Sequence, residues 1–198
     1  MLPGPPLVLV HGLWDSPRQF RHLERTLDGR RQPLLVPDLP HGLGGSPIEA
    51  LADRLGSRIE AAFGPDAPID LLGFSMGGVI ARTWIQLLGG HRRTRRFLSV
   101  GSPQQGSLTA LPWPRRLLAG IADMKPGSPL LQRLNGDLHA LETIECSSYY
   151  CAADLMVVPG WRAVLPRGRR ILLPVLTHRQ LIRHPMALEL LVADLLKP

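Results

Sequence analysis

Six short apolar runs, separated by segments of helical character, constrain this chain more than any other feature. They are Leu7–Val10, Pro33–Val36, Ile69–Phe74, Arg96–Gly101, Thr143–Tyr150 and Arg170–Leu176. Their apolar residues are continuous rather than alternating, as expected of strands covered on both faces of a parallel sheet. Helical segments fall between them. Pro17–Leu27 reads as one. Ser46-Pro47-Ile48-Glu49 has a capping Ser, Pro at the first helical position and Glu at the third, a capping box that opens a helix to Phe63. Another helix is expected over Met76–Leu88, stopped by Gly89-Gly90, and a last one over Gln180–Leu196. This alternation predicts an α/β architecture: a minimal doubly wound sheet of about six parallel strands with helices on both faces. Residues 104–141 contain no convincing strand and read as a lid-like helical excursion over one end of the sheet. With 198 residues and no linker-like stretch, the chain reads as one domain over 1–198.

The sharpest local signal is Gly73-Phe74-Ser75-Met76-Gly77-Gly78, which follows the run IDLL and precedes a helix. In the spacing G-x-S-x-G the Ser sits on a tight strand-to-helix turn, and small residues two positions to either side make that turn sterically feasible. Such a turn lifts the hydroxyl to the carboxyl end of a strand. It also aims a helix N-terminus at any oxyanion formed there.

A Ser hydroxyl is a poor nucleophile until a base takes its proton, and the base needs a third group to orient it. After such a turn the chain order is Ser, then acid, then His. His178 follows the last apolar run and precedes the last helix, the place for a general base. His184 and His139 read as surface or structural residues. Asp154, directly after the run ending in YYC, is the expected acid, whereas Asp123 and Asp137 read as solvent-facing helix charges. For the oxyanion, the expected donors are the backbone N–H of Met76 and one from the turn His11-Gly12-Leu13-Trp14, with Leu13 favoured over Trp14. His11 reads as a structural hydrogen-bonding residue.

The segments VHGLW, PDLPHGLGGS, GFSMGG, VGSPQQGS, MKPGSPLLQRLN, DLMVVP and THRQLIRHP, in that order from residue 8 to 185, resemble the α/β-hydrolase superfamily and within it the compact bacterial lipase/esterase type. The resemblance implies a Ser75–Asp154–His178 triad, oxyanion donors at Leu13 and Met76, and no metal or organic cofactor. Gln104-Gln105 departs from it, since many members carry a His there, which puts a substrate-binding role for that stretch in doubt.

Apolar residues around the expected pocket mouth (Trp14, Leu108, Leu111 and Trp113) suit a small-molecule acyl ester or lipid substrate. The segment 107–135 reads equally as a mobile lid and as plain core cover. Two other uses of the same residues remain open: an acyl thioesterase or acyltransferase with the same triad, and, more remotely, a hydrolase-like protein that only binds. Lys plus Arg number 23 against 16 acidic residues, a net charge of +7, with Arg concentrated at 30–31, 92–96, 115–116 and 167–170. No aromatic residues interleave with these clusters, so they read first as solvated faces and next as a peripheral contact with an anionic membrane surface, not as a nucleic-acid groove. Cys146 and Cys151 have neither zinc nor disulfide-framework spacing and read as buried thiols. The start MLPGPPLVLVHG lacks the form of a signal peptide, and a cytoplasmic location is expected.

Overall fold

The computed structural model describes residues 4–197, so Met1–Pro3 and Pro198, part of the stretches read above, lie outside it. Six strands form one sheet: β1 (Leu7–Val10), β2 (Leu34–Leu35), β3 (Ile69–Phe74), β4 (Thr94–Val100), β5 (Glu145–Tyr150) and β6 (Arg169–Leu172). Every pairing is parallel and the order is β2-β1-β3-β4-β5-β6. The chain winds one way from β1 to β2 and the other way from β3 onward. The crevice outside the carboxyl ends of β1 and β3 is therefore the topological switch point, where open α/β sheets bind ligands.

The continuous apolar runs have a direct explanation. Successive strand residues point to opposite faces, and both faces are covered. Val8, Val10, Leu71 and Phe97 join one core with α2 (Ile48–Phe63), α3 (Met76–Leu87) and α5 (Pro129–Gly136). Leu7, Leu9, Leu72, Phe74 and Leu98 join the other with α1 (Arg21–Leu27) and α6 (Pro185–Leu195). Burying each such side chain contributes about 1.5–3 kcal/mol.

The expected elements differ from the observed ones mainly at their ends. β2 shrinks to two half-buried residues at the sheet edge. The segment Pro17–Leu27 opens as a 3₁₀ turn, Pro17–Phe20, before α1. The last helix is split, with a 3₁₀ turn at His178–Ile182 and α6 starting only at Pro185, because Pro fits the first turn of a helix and not its interior.

The capping box at Ser46 does not form; Pro47 occupies the cap position without a side-chain bond. Asp123 replaces it from 75 residues away: its Oδ2 accepts the Ile48 N–H at 3.1 Å while its Oδ1 takes Arg115 at 2.7 Å. A carboxylate is favourable at a helix N-terminus. Asp123 is therefore buried and structural, not the solvent-facing charge expected of it.

The excursion holds α4 (Ala119–Asp123) and α5, and Ile121, Met124, Leu130, Leu131 and Leu134 sink into the first core. Arg82 of α3 ties it down. Fully buried, Arg82 donates to the carbonyls of Leu134 at 2.7 Å and Gln104 at 3.1 Å, and burial lowers its pKa to about 10. Among the described residues no helix is long and apolar enough to cross a membrane.

Candidate active site

β3 ends at Phe74 and α3 begins at Met76, so Ser75 alone makes the turn. Its backbone sits at φ 54°, ψ −128°, a conformation that costs a non-glycine residue of order 1–3 kcal/mol. The flanking glycines are obligatory for steric reasons. A Cβ on Gly73 would lie 2.4 Å from the Cα of Gly78, and one on Gly77 would lie 2.1 Å from the carbonyl oxygen of Val10.

His178 stands beyond β6, at the start of the 3₁₀ turn that Thr177 caps with a reciprocal bond pair to Gln180. The imidazole is buried against Phe74, with ring centroids 4.7 Å apart. Its Nδ1 meets Asp154 Oδ2 at 2.7 Å. Asp154 lies in the loop after β5 and is 3% exposed; its other oxygen accepts the amides of Met156 at 2.8 Å and Val157 at 3.0 Å, which fixes the rotation of the carboxylate. With Nδ1 held by a carboxylate, Nε2 is the nitrogen available to accept a proton, and it is buried with no hydrogen-bond partner among the described residues. Ser75 and His178 line one cavity.

The turn after β1 presses against the nucleophile turn: a Cβ on Gly12 would stand 2.9 Å from the Cβ of Ser75. Each amide in this turn can be accounted for. Gly12 donates to Gln19 Oε1 at 3.2 Å and Trp14 donates to His41 Nε2 at 3.0 Å. Among the described residues, the Leu13 amide has no acceptor, and neither does that of Met76, the first residue of α3. Of the two amides weighed from sequence, Trp14's is engaged elsewhere and Leu13's is not. His11 is buried and accepts the Leu39 amide on Nε2 at 3.1 Å.

The cavity has a volume of about 330 Å³ and an apolar wall that includes Leu13, Phe74, Ile121, Met124 and Val157. Trp14 and Trp113 line it. Leu108 and Leu111, expected beside them, do not: the 3₁₀ turn Leu108–Ala110 directs Ala110 inward and leaves both leucines about half exposed. Gln104 also faces away from the cavity, donating to Ser99 Oγ at 2.9 Å. Leu43, whose carbonyl accepts the indole N–H of the lining residue Trp14, and Leu155, next in the chain to the lining residue Met156, are 74% and 81% exposed, and Leu117 is 74% exposed. Of the Arg pair 115–116, Arg115 is held by Asp123 and Arg116 is exposed. His184 immediately precedes α6, without a side-chain capping bond, and His139 pairs with Glu142 on the surface, both away from the cavity lining.

Three contributors were not singled out from sequence: His41, Gln19 and Met156. The segment PDLPHGLGG contains His41 but gives no local sign of a partner 27 residues earlier.

A family model described as "Alpha/beta hydrolase family" matches residues 7–195. The lysosomal thioesterase PPT2 of Homo sapiens is 29% identical over 106 residues, which is 51% of this chain and 34% of that protein. The chain thus spans only about a third of the length of the curated relatives it matches. The mature form of Bacillus licheniformis lipase BlEst2 superimposes with a TM-score of 0.76 at 15% identity, over 98% of this chain and 93% of that one. MGS-MChE2, an alpha/beta hydrolase enzyme from the metagenome of sediments from the lagoon of Mar Chica, Morocco, superimposes with a TM-score of 0.71 at 18% identity, over 96% and 90% of the two chains. These structural likenesses establish the fold.

Proposed function

The chain belongs to the alpha/beta hydrolase family, and on that premise we propose that it is a serine hydrolase that cleaves carboxylic esters of apolar acyl groups. The observation that carries this reading is the 2.7 Å His178–Asp154 pair, whose free Nε2 shares an apolar cavity with Ser75. In the mechanism, Ser75 Oγ attacks the acyl carbonyl as His178 Nε2 takes its proton. Asp154 keeps the proton of His178 on Nδ1 and stabilises the imidazolium without itself being protonated. The tetrahedral oxyanion is received by the amides of Leu13 and Met76. His178 then returns the proton to the leaving alcohol, and water, activated by the same His, releases the acid. Catalytic hydrogen bonds of this kind tighten when substrate fills the site.

The apolar walls and the exposed Leu43, Leu117 and Leu155 support an acyl chain as the part of the substrate that is recognised, and a lipid surface as its source. Arg115 is engaged by Asp123, so charge attraction to such a surface falls to neighbours such as Arg116. A second reading, thioester hydrolysis, is favoured by the match to a lysosomal thioesterase and uses the same acyl-enzyme.

Short-, medium- and long-chain p-nitrophenyl esters, and an acyl thioester alongside, separate the readings when parent and Ser75→Ala proteins are compared. The proposal expects ester cleavage that persists with longer chains and vanishes in Ser75→Ala. A folded parent that cleaves only the thioester would favour the second reading, and undiminished cleavage by Ser75→Ala would refute both.

A further inference from the structure

We propose that His41 is a positioning residue for the oxyanion loop: by accepting the Trp14 amide on Nε2, it determines which backbone N–H of residues 12–14 faces the reacting carbonyl. The inference rests on the serine-hydrolase reading above and adds a residue that never touches substrate.

Trp14 is held at φ 58°, the left-handed region, which a bulky side chain adopts only when its surroundings impose it. Three hydrogen bonds to the segment after β2 impose it here. The Trp14 amide goes to His41 Nε2 at 3.0 Å, the Trp14 indole N–H goes to the Leu43 carbonyl at 3.2 Å, and the Leu39 amide returns to His11 Nε2 at 3.1 Å. On the other side, Gln19 takes the Gly12 amide on Oε1 and donates to the Asp15 carboxylate from Nε2. Amides 12 and 14 are thereby turned toward side chains behind the loop, and of these three amides only that of residue 13 has no acceptor among the described residues. Without an acceptor at position 41, the Trp14 N–H is a second unsatisfied donor beside the first. The loop then has no reason to prefer the register that presents Leu13.

The device requires a neutral imidazole, because a protonated Nε2 donates and would repel the Trp14 N–H. His41 is 9% exposed, and its Nδ1 is buried without a well-formed hydrogen bond among the described residues. Burial first, then the nearby His11 ring with its centroid 6.4 Å away, lower its proton affinity. The Asp15 backbone and carboxylate and the Asp38 carboxylate act the other way without reversing the net effect, so the acceptor form persists through neutral pH.

The test compares parent, His41→Ala, His41→Gln and Ser75→Ala on one soluble short-chain p-nitrophenyl ester between pH 5 and 9. Losing one oxyanion donor costs about 10²–10³ in kcat, and a loosened donor less, so His41→Ala is expected to lower kcat by about 10–100-fold with KM nearly unchanged. His41→Gln, whose amide oxygen accepts a hydrogen bond, is expected to recover most of that loss. The acid limb of the parent kcat profile is expected to require one more proton than that of His41→Gln. Parental kcat in His41→Ala, with Ser75→Ala inactive, would overturn the proposal. So would equal impairment of the Ala and Gln variants with unchanged acid limbs, the mark of a purely structural role. Activity in Ser75→Ala would instead remove the hydrolase reading on which the proposal rests. Should His41→Ala fail to fold, the kcat and acid limb of His41→Gln still decide.

Discussion

At the amino ends of the strands, Asp70 is gripped by Arg31 and Arg95, Arg96 meets Glu145, and Arg169 meets Asp194, which also accepts from Tyr149. At the carboxyl ends, Ser75 is held in a strained backbone conformation, the Leu13 and Met76 amides and His178 Nε2 have no partner among the described residues, and leucines face solvent. The same sheet thus pairs its charged side chains at one end and leaves the Leu13 and Met76 amides and His178 Nε2 waiting at the other. Charge density in the sequence points to the first end, and chemistry resides at the second. A group already bonded to its neighbours contributes to stability, whereas a group held rigidly without a partner is ready for a ligand.

This contrast can be broken by substitutions at either end. The largest effect is expected from Asp154→Asn, which should lower kcat by up to about 10⁴-fold on the precedent of serine proteases while leaving the urea midpoint nearly unchanged. A loss of activity explained by unfolding would erase the distinction between the two ends. Next comes Asp70→Asn, which leaves the buried Arg31 guanidinium beside a neutral amide. Breaking a buried pair typically costs about 3–5 kcal/mol, so chemical denaturation should register a large loss, with kcat/KM of the folded protein within about twofold of the parent. A matching drop in kcat/KM would mean that the amino end tunes the site.

The smallest effect concerns the thiols that bracket β5. Burial raises both Cys146, the second residue of β5, and Cys151, just past its carboxyl end, to about 11. Arg82 moderates the first shift, and the Asp154 carboxylate adds to the second. Well below the unfolded thiol pKa of about 8.5 both folded and unfolded thiols are protonated, and stability is indifferent to pH on their account. Above it the unfolded chain releases protons that the folded chain keeps, so stability should fall through pH 11 by on the order of 1 kcal/mol per thiol per unit. Denaturation midpoints from pH 8 to 11 in parent, Cys146→Ala and Cys151→Ala would check this, with a shallower slope in each variant. An unchanged slope would mean that the thiols are not the groups titrating.

The legibility of the sequence follows the same division between local and distant causes. β1 and β3 were legible to the residue, because two-sided burial writes itself as a continuous apolar run. The turn at Ser75 was legible because its steric demands fall on residues two positions away. The cap of α2 was misread because the true capping carboxylate, Asp123, is distant in sequence, while Ser46 and Glu49 offered a complete local motif that Pro47 displaces. His41 was missed for the same reason. The Arg clusters suggested solvated faces, yet Arg93 caps the end of α2 through the carbonyls of Gly64, Pro65 and Ala67, and Arg30 does the same for α1. A guanidinium's partners cannot be read from its neighbours in the chain. Leu108 and Leu111 were placed at the cavity on composition alone, and the phase of one short 3₁₀ turn decides which way they face.

The most direct test of the central claim is covalent. An alkyl phosphonate ester bearing a good leaving group requires the nucleophile, the base and the oxyanion donors to act together, and it reports on them independently of which ester is the natural substrate. Incubated with the folded protein and followed by peptide mass mapping, it should deposit one phosphonyl group, on the peptide carrying Ser75, and none in His178→Ala. An adduct on another residue, or none on the folded parent, would contradict the assignment of this site.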